Sequence, residues 1–401
     1  MKLSIILCVY NTKIEYVEQC LGSVFSSTAR DFEVVFVDDG SDVDYSSVLE
    51  KYPIKYLKTE NRGLLRARLL GIEAASGKYV AFVDSDDRIS INYHLPMIEA
   101  AERFDADIIF NDWAFDFGSY QNYPLRDSTM SSDIDCSGED ALKFYTSQQG
   151  REQSYFVQWN KLFSRELLIA SKSEMMRTEL PQMKITYAED VIFNFFNFKN
   201  AKRVTNVHTG FYFYRIHNEQ SVSIPDFARL SWQIDSMIYA FDLMERNIGQ
   251  NMHEKSIREN LLKWKEHMAR FHYGCANKLS DNSATDYVCE RYGIKPLSSP
   301  LKKDSWTYER LEFIGSNFAE TDRALTELYL DAETSARYTA RAKYIKRFLK
   351  YILKFKGGDD KTVKRIALKN TITLKQKILS SNIGSKLAAT YRAIKKLFKK
   401  S

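Results

Sequence analysis

The stretch from Gly77 to Asp87 constrains the fold more than any other part of the sequence. It reads GKYVAFVDSDD, a turn and an apolar run followed by three carboxylates, Asp84, Asp86 and Asp87, within four positions. An apolar run of this length between a glycine and a polar cluster predicts a buried strand. The acids then lie at its carboxyl end, where open α/β sheets place their ligands. Carboxylates this close repel one another unless a cation holds them together, so a Mg²⁺ or Mn²⁺ site is one interpretation. An acidic turn that caps the following helix is the other.

Strands and helices alternate around this stretch. Apolar runs predict strands, and the segments between them have apolar residues at helical spacing. Strands are expected at 3–10, 32–37, 54–57, 79–84 and 106–113. Helices are expected at 13–27, 44–51, 64–76 and 93–103. This order indicates βαβ units and an α/β fold with a mostly parallel sheet flanked by helices. Residues 115–138 are expected to form a long loop. No Gly-x-Gly-x-x-Gly and no Walker lysine motif occur, so neither a dinucleotide site nor a phosphate-binding P-loop is indicated.

A second group of carboxylates, Asp38 and Asp39, follows the strand at 32–37. A nucleotide diphosphate compound would use both strand ends. One acid would accept from a base N–H or a ribose hydroxyl, while the other set would hold the cation of the diphosphate. Arg66 and Arg68, on the helix between, would add positive charge near the phosphates, although each arginine alone also fits a solvated helix face.

Four segments carry a resemblance to a known family. They are Cys8-Val9-Tyr10-Asn11, Val37-Asp38-Asp39-Gly40-Ser41, Asn61-Arg62-Gly63 with Ala67-Arg68, and Phe82-Val83-Asp84-Ser85-Asp86-Asp87. In this order and spacing the sequence resembles the family 2 glycosyltransferases over about residues 1–225. That resemblance implies an inverting enzyme with a GT-A fold, a Rossmann-like sheet between helices. The chain departs from the family in having Leu69, where an asparagine usually follows the helix arginine.

The resemblance implies a role for each matching residue. It assigns nucleotide or donor contacts to Tyr10, Asn11, Asp39, Arg68, Asp84, Arg215 and Ser221, and metal contacts to Asp86, Asp84 and His217. Residues 214–223 resemble a loop that closes over the diphosphate in this family. This segment contains Arg215, His217 and Ser221. The implied cofactor is Mn²⁺ or Mg²⁺, and the implied donor is a nucleotide-sugar, with UDP-sugar expected.

An inverting transfer needs one carboxylate to take the proton of the acceptor hydroxyl as that oxygen attacks the anomeric carbon. The resemblance assigns this role to Asp190, with Glu189 as the second candidate. The alternative is that both acids only favour a helix N-terminus.

Polar and aromatic residues near two other apolar segments are candidates for the acceptor side. Asp112 and Trp113 end the strand expected at 106–113, and aromatic faces stack well on the C–H surfaces of pyranoses. Packing of this strand end into the core is the equal alternative. Trp159 and Asn160 match a stretch that shapes the acceptor side in the family. The expected acceptor is a glycan or a lipid-linked carrier in cell-envelope polysaccharide synthesis of the capsule or teichoic-acid type.

Charge is segregated along the chain. The 401 residues carry a formal charge of +6, yet residues 341–401 hold 19 Lys and Arg against 2 Asp and Glu, a net +17. Apolar residues recur there at helical spacing among the lysines, which predicts basic amphipathic helices. Such helices favour an anionic membrane surface, at about 1 kcal/mol per basic residue. Nucleic acid is not expected, because no RNA- or DNA-binding fold accompanies the tail. A helical oligomerisation domain, and hence a homo-oligomer, is the remaining interpretation.

Three parts are expected in the chain. Residues 1–225 form the catalytic domain, 226–335 a helical region that packs on it or extends it, and 336–401 the basic tail. No signal peptide, no run of eighteen apolar residues and no metal-like cysteine spacing are evident. A reducing, cytoplasmic location on the inner face of the cell membrane is therefore expected.

The sequence thus predicts a metal-dependent inverting glycosyltransferase that moves a hexosyl or N-acetylhexosaminyl group. A metal-dependent nucleotidyltransferase is the alternative enzyme, although it should carry a basic phosphate-gripping loop that residues 8–12 lack. A non-catalytic polyanion-binding scaffold is the alternative of another class. It should have lost a key acid, whereas all are present: Asp39, Asp84, Asp86 and Asp190.

Overall fold

The computed structural model describes most of the first 296 residues: 1–116, 133–148, 155–180, 184–185, 187–215, 224, 226–277, 279, 281 and 283–296, with only the backbone for 114–116. The strands are β1 (Leu3–Val9), β2 (Phe32–Asp38), β3 (Ile54–Lys58), β4 (Tyr79–Asp84), β5 (Arg88–Ile89), β6 (Ile108–Asp116), β7 (Asp135–Ser137), β8 (Lys161–Ser164) and β9 (Arg203–Arg215). The helices are α1 (Ile14–Phe25), α2 (Ser46–Leu49), α3 (Leu64–Ala74), α4 (Leu95–Phe104), α5 (Glu139–Thr146), α6 (Arg165–Met175), α7 (Glu189–Asn200), α8 (Phe227–Arg246), α9 (Glu254–Ala276) and α10 (Ser283–Tyr292).

The strands form one mixed sheet in the order β3-β2-β1-β4-β8-β6-β9-β5, with β7 beside β9. Its first half is parallel, since β1 pairs in parallel with β2 and β4, and β2 with β3. Its second half is antiparallel, as β4 with β8, β6 with β8, and β5 with β9. The predicted α/β fold, with a mostly parallel sheet between helices, is confirmed for the half that carries the acidic motifs.

Two sequence-based expectations need correction. The strands beyond β4 pair antiparallel, as β8 does with β4 and with β6, although helices also lie between these strands in the sequence. The loop expected over 115–138 is wrong at both ends, since β6 extends to Asp116 and residues 135–137 form β7 along β9. Three residues are too few for an apolar alternation to reveal a strand.

Continuous burial is consistent with the central position of β1 and β4 in the sheet. β1 and β4 are buried along almost their whole length, as expected for strands covered by helices on both faces. Helices α8 and α9 add Met237, Phe241 and Trp264 to the same apolar core. A smaller cluster joins α8 and α9 to α10.

The helical character expected after residue 226 is confirmed through Tyr292. The boundaries at 225 and 335 stay predictions, and the basic tail at 341–401 lies outside the described residues. In the described part of the chain, no helix combines the length and the apolar character needed to cross a membrane.

Candidate active site

Three parallel strands bring the acidic motifs to one edge of the sheet. Strand pairing places Cys8 of β1 beside Asp84 of β4, and Val9 beside Asp38 of β2. The residues that follow these strands therefore meet at the carboxyl end, the edge where α/β sheets bind ligands. Sequence reasoning predicted this convergence correctly.

Asp39 connects two loops at this edge. Its Oδ1 accepts from the backbone N–H of Arg62 and its Oδ2 from that of Gly63, both at 2.9 Å. The loops approach so closely that a Cβ on Gly40 would lie 2.6 Å from the backbone nitrogen of Asn61. Burial raises the pKa of Asp39, while the two N–H donors oppose that rise. The carboxylate is thus fixed in orientation, and its remaining lone pairs can accept from a ligand.

Tyr10 and Asn11 begin the loop after β1 and are exposed. The backbone N–H of Asn11 donates to Oγ of Ser41 at 3.0 Å, and its Oδ1 accepts from the N–H of Asp42 at 2.9 Å. Asn11 adopts a left-handed φ of 51°, which asparagine tolerates better than most residues. The side chain of Asn11 fixes this loop against the loop after β2, and Tyr10 presents an open ring beside it.

Arg68 lies at the centre of the acidic group. Its side chain is only 2% exposed, and its Nη1 lies 2.5 Å from Oδ1 of Asp190 and 3.7 Å from Oε1 of Glu189. Its Nη2 lies 3.4 Å from Oδ1 of Asp84. A buried guanidinium thus joins the end of β4 to the start of α7, and the solvated-face interpretation of Arg68 is wrong. Its nucleotide role stays a prediction.

The carboxylates around Arg68 differ in their access to solvent. The side chains of Asp84 and Asp190 are 31% and 28% exposed, and that of Glu189 is 10% exposed. Asp190 therefore reaches the open side of the group, while Glu189 lies behind it. This arrangement suits Asp190, rather than Glu189, to meet an incoming hydroxyl.

Burial sets the proton affinity of this group. It raises the pKa of Asp84, an effect that Arg68 opposes and that the charges of Asp86 and Asp190 increase. Burial, followed by the charge of Asp190, raises the pKa of Glu189. Burial alone would lower the pKa of Arg68, but its three carboxylate neighbours raise it, so the guanidinium stays charged. One cation faces several acids, and the excess negative charge favours a further cation.

The first turn of α7 is held in place from several sides. The residue before it, Ala188, has a left-handed φ of 63°, which costs a non-glycine residue about 1–2 kcal/mol. Nε2 of Gln158 donates to the carbonyl of Asp190 at 3.1 Å, and the hydroxyl of Tyr145 donates to that of Val191 at 2.9 Å. Such local strain, kept by surrounding contacts, is typical of functional sites.

The donor set suits a hard divalent cation. Asp84 and Asp86 offer carboxylate oxygens on partly exposed residues at the carboxyl end of β4. No group of three His, Cys, Asp or Glu side chains that could hold a metal occurs among the described residues. Mg²⁺ is commonly held by only one or two carboxylates together with substrate phosphates and water, so two acids fit such an ion.

Asp87 has a different environment from its two neighbours. It is 1% exposed, and its Oδ2 accepts from the hydroxyl of Tyr212 at 2.7 Å. The same hydroxyl accepts from the backbone N–H of Asp84 at 3.0 Å. The acidic turn is thus attached to β9.

The aromatic candidates for the acceptor side pack together. Trp113 and Trp159 are 4% and 3% exposed, with ring centroids 5.4 Å apart. Trp159 also stacks on Tyr212, with centroids 4.4 Å apart and an interplanar angle of 15°. The strand end of Trp113 therefore packs into an aromatic cluster. A role of these rings in acceptor binding stays a prediction.

The polar candidates on the acceptor side are also buried. Oδ1 of Asp112 lies 2.8 Å from Nδ1 of His208, and Oδ1 of Asn160 accepts from Nζ of Lys161 at 2.9 Å. Lys161 is fully buried and lies over the ring of Phe110, and burial lowers its pKa well below the ordinary value. These contacts organise the strands beneath the site.

Three residues of the segment at 214–223 were expected to act on the donor. Arg215 is the last residue of β9 and is buried. His217 and Ser221 lie outside the described residues, so their roles stay predictions.

Sequence reasoning missed Tyr212 and Gln158. Both are buried, and both hold the backbone at an acidic motif, at Asp84 and Asp190 respectively. The one available signal was a polar side chain in an otherwise apolar segment. That signal does not identify the hydrogen-bond partner, which lies more than thirty residues away in the sequence.

Comparison with known proteins shows a family match for the first part of the chain, which carries Asp39, Arg68, Asp84 and Asp86. The model of the family named Glycosyl transferase family 2 matches residues 4–170. These residues are therefore similar to that family. The matched residues, called the glycosyltransferase domain below, include both acidic strand ends, with Asp39 after β2 and Asp84 at the end of β4, in agreement with the family suggested by the motifs. Asp190 on α7 lies outside them.

The domain also resembles individual relatives. It is 33% identical over 223 residues to a putative glycosyltransferase EpsH of Bacillus subtilis, covering 53% of this chain and 60% of that protein. It is 26% identical over 231 residues to a cholesterol galactosyltransferase of Borreliella burgdorferi, covering 53% of this chain and 59% of that protein. The chain spans about three fifths of the length of these relatives.

A solved structure shares the fold. The crystal structure of S. aureus TarS residues 1–349 in complex with UDP-GlcNAc superposes with a TM-score of 0.54 at 18% identity, covering 73% of this chain and 80% of that one. This likeness confirms the GT-A-like architecture around the glycosyltransferase domain.

Proposed function

We propose that this protein is a metal-dependent inverting glycosyltransferase that transfers a hexosyl or N-acetylhexosaminyl group from a UDP-sugar. The observation that carries the proposal is the contact of Arg68 with both Asp84 and Asp190 at the carboxyl edge of the sheet. Through this contact a single guanidinium joins Asp84, the acid expected on the donor side, to Asp190, the acid expected to act as the base. Nucleotidyl transfer, the alternative enzyme class, has no comparable support from the family match.

Asp190 acts as the general base in this proposal. Its exposed carboxylate takes the proton of the acceptor hydroxyl while that oxygen attacks the anomeric carbon from the face opposite the diphosphate. The contact with Arg68 orients the carboxylate. Glu189, buried behind Arg68, is the third carboxylate in contact with the guanidinium. It is the second candidate for the base.

Asp84 and Asp86 would hold Mn²⁺ or Mg²⁺, with His217 as a further ligand. When bound, such an ion neutralises the charge that develops on the departing diphosphate. Asp39, Tyr10 and Asn11 would bind the base and ribose, and Arg215 and Ser221 the phosphates. These roles follow the family resemblance, and the loop contacts of Asp39 and Asn11 support them by fixing the pocket.

The donor and acceptor classes are supported by the comparisons. TarS, which shares the fold, was crystallised with UDP and with UDP-GlcNAc. The relative from Borreliella burgdorferi is a cholesterol galactosyltransferase, so one similar protein transfers a hexose to a lipid alcohol. For this chain we propose a glycan or lipid-linked acceptor in cell-envelope polysaccharide synthesis, at the cytoplasmic face of the membrane. The basic tail at 341–401 would bind the anionic membrane surface.

Calorimetric titration with UDP tests the nucleotide and metal parts of the proposal. The full-length protein is titrated with UDP in Mn²⁺, in Mg²⁺ and in EDTA, beside the variants Asp86→Ala and Asp107→Ala. Asp107 is the control because it accepts from the hydroxyl of Ser164 and from the backbone N–H of Lys202, and Ser164 pairs with Tyr79 at the start of β4, the end opposite Asp84. We expect binding that is lost in EDTA and in Asp86→Ala but kept in Asp107→Ala. Absence of UDP binding with either metal would overturn the proposal.

A further inference from the structure

The acidic turn after β4 is fixed by a residue far along the chain. The turn closes through the backbone N–H of Asp87, which donates to the carbonyl of Asp84 at 3.0 Å. The hydroxyl of Tyr212 then bridges both ends of this turn. It accepts from the N–H of Asp84 at 3.0 Å and donates to Oδ2 of Asp87 at 2.7 Å.

This bridge is built for rigidity. Tyr212 is fully buried, so water does not compete for either hydrogen bond. Its strand β9 pairs with β5 directly after the turn, with Ile89 opposite Tyr212. The ring is held in turn by Trp159, stacked at a centroid distance of 4.4 Å. The turn is thus fixed by its backbone, by its side chain and by the strand that leaves it.

The bridge also separates the three acids. Asp87 is engaged and buried beneath the turn, while Asp84 and Asp86 remain partly exposed. Three carboxylates at this spacing repel one another, so the contacts that fix the backbone of the turn also keep the carboxylates in separate environments. The hydroxyl of Tyr212 is one of these contacts, beside the hydrogen bond between Thr12 and Ser85 at 2.7 Å, and it is the one that engages Asp87.

We propose that Tyr212 is a positioning residue, whose hydroxyl holds the turn from Asp84 to Asp87 in the shape that binds the cation of a nucleoside diphosphate. This inference rests on the proposed function for the identity of the ligand. According to this inference, metal-dependent nucleotide binding depends on Tyr212, which lies outside the acidic motif. Through Trp159 the same residue joins the donor turn to the aromatic cluster expected on the acceptor side.

The variant Tyr212→Phe tests this role, because it removes the hydroxyl and keeps the ring that stacks on Trp159. Tyr93→Phe is the matched control. Tyr93 is a buried neighbour, with its ring centroid 6.1 Å from that of Tyr212, and its hydroxyl donates to the carbonyl of Trp159 rather than to the turn. Both variants lose one buried hydroxyl, so their difference reports on the turn alone.

Two readouts are measured on the full-length proteins. The first is amide hydrogen exchange across residues 83–89 without ligand, and the second is the Mn²⁺ concentration that gives half-maximal UDP binding. For Tyr212→Phe we expect faster exchange in this segment and a Mn²⁺ requirement raised by about 10-fold, the effect typical of residues that orient metal ligands. Tyr93→Phe should leave both near the wild-type values. Equal effects of the two variants on both readouts would overturn the inference.

The two proposals fail in distinguishable ways. If the wild-type protein binds no UDP, the proposed function is contradicted, and hydrogen exchange alone decides whether Tyr212 fixes the turn. If Tyr212→Phe does not fold, Asp87→Ala breaks the same hydrogen bond from the carboxylate side. It is then expected to give the same faster exchange, and unchanged exchange would overturn the inference.

Discussion

Nη1 of Arg68 lies 2.5 Å from Oδ1 of Asp190, although 122 residues separate the two in sequence. The contact crosses from α3, which follows the third strand, to the first turn of α7. With Asp84 on its other nitrogen, Arg68 connects the acid at the end of β4 to the acid at the start of α7. We therefore expect both the stability and the proposed activity to depend on this guanidinium.

Loss of Arg68 should destabilise the protein strongly. Arg68→Met leaves three carboxylates without their buried counter-charge, a change that typically costs about 3–5 kcal/mol. The partial exposure of Asp84 and Asp190 places the expected loss at the lower end of that range. Arg68→Lys should lose less, since it keeps the charge but not the forked geometry.

Urea unfolding of these variants gives the free energies, with Arg66→Met as the control. Arg66 lies two residues earlier on α3, and its side chain reaches the sulfur of Met176 instead of an acid. Its replacement should change the free energy of unfolding by at most about 0.5 kcal/mol. Equal losses at positions 66 and 68 would contradict the structural role of Arg68.

Substitution of the two acids on α7 should separate the base from its neighbour. Removal of a general base typically lowers turnover by about 10²–10⁴-fold. We expect this loss for Asp190→Asn, with UDP affinity retained, and a smaller loss for Glu189→Gln, because Glu189 is buried behind Arg68. Turnover and UDP affinity are measured for both. The reverse order of losses would assign the base to Glu189.

Much of this site was predictable because its motifs follow parallel strands. Apolar runs ending in acids predict strand ends, and parallel strands bring those ends together, so Asp39 and Asp84 were expected at one edge. What Arg68 contacts was not predictable. Helical spacing predicts which face of the helix a residue occupies but not its long-range partner. With the same local sequence, an arginine on α3 can face either solvent or three carboxylates.

The antiparallel half of the sheet was harder to predict from the sequence for a related reason. Its strands include very short ones such as β5 and β7, whose register is set by pairing with β9 rather than by their own pattern. The aromatic residues Trp113 and Trp159 fit both a sugar platform and a packed core. Sequence alone does not separate these interpretations, since both require large rings near a strand end.

Acid should destabilise the protein through two buried histidines. Burial lowers the pKa of His94 and of His272 to about 3 in the folded protein, against about 6.5 when unfolded. Below pH 6.5 the unfolded chain gains protons that the folded protein excludes, so stability is present above this pH and is lost as pH falls toward 3. Each histidine contributes up to about 1.4 kcal/mol per pH unit in this window.

The measurement is the free energy of unfolding between pH 7 and pH 4 for wild type and for His94→Gln with His272→Gln. Glutamine does not titrate, so the double variant should lose less stability on acidification than the wild type. Both ring nitrogens of His94 lack a hydrogen-bond partner among the described residues, which makes its protonation in place especially unfavourable. Identical pH profiles would contradict this account.

Neutralising the end of the tail should weaken membrane binding. Glutamine at Lys395, Lys396, Lys399 and Lys400 removes four charges, which near an anionic bilayer are worth at most about 4 kcal/mol together. Full-length protein is sedimented with vesicles of phosphatidylglycerol and phosphatidylcholine, at low and high salt. The control variant carries glutamine at four lysines outside the tail, Lys2, Lys51, Lys55 and Lys255. Equal binding of both variants, or equal binding to pure phosphatidylcholine, would contradict the membrane proposal.

Release of UDP from a panel of UDP-sugars tests the central claim most directly. Purified full-length protein is incubated with each donor in Mn²⁺, Mg²⁺ or EDTA, beside Asp86→Ala and Asp190→Asn. We predict turnover of one donor that disappears in EDTA and in Asp86→Ala and falls by about 10²-fold or more in Asp190→Asn. Turnover that survives EDTA and both substitutions, or no turnover of any donor with either metal, would contradict a metal-dependent UDP-sugar transferase built on these acids.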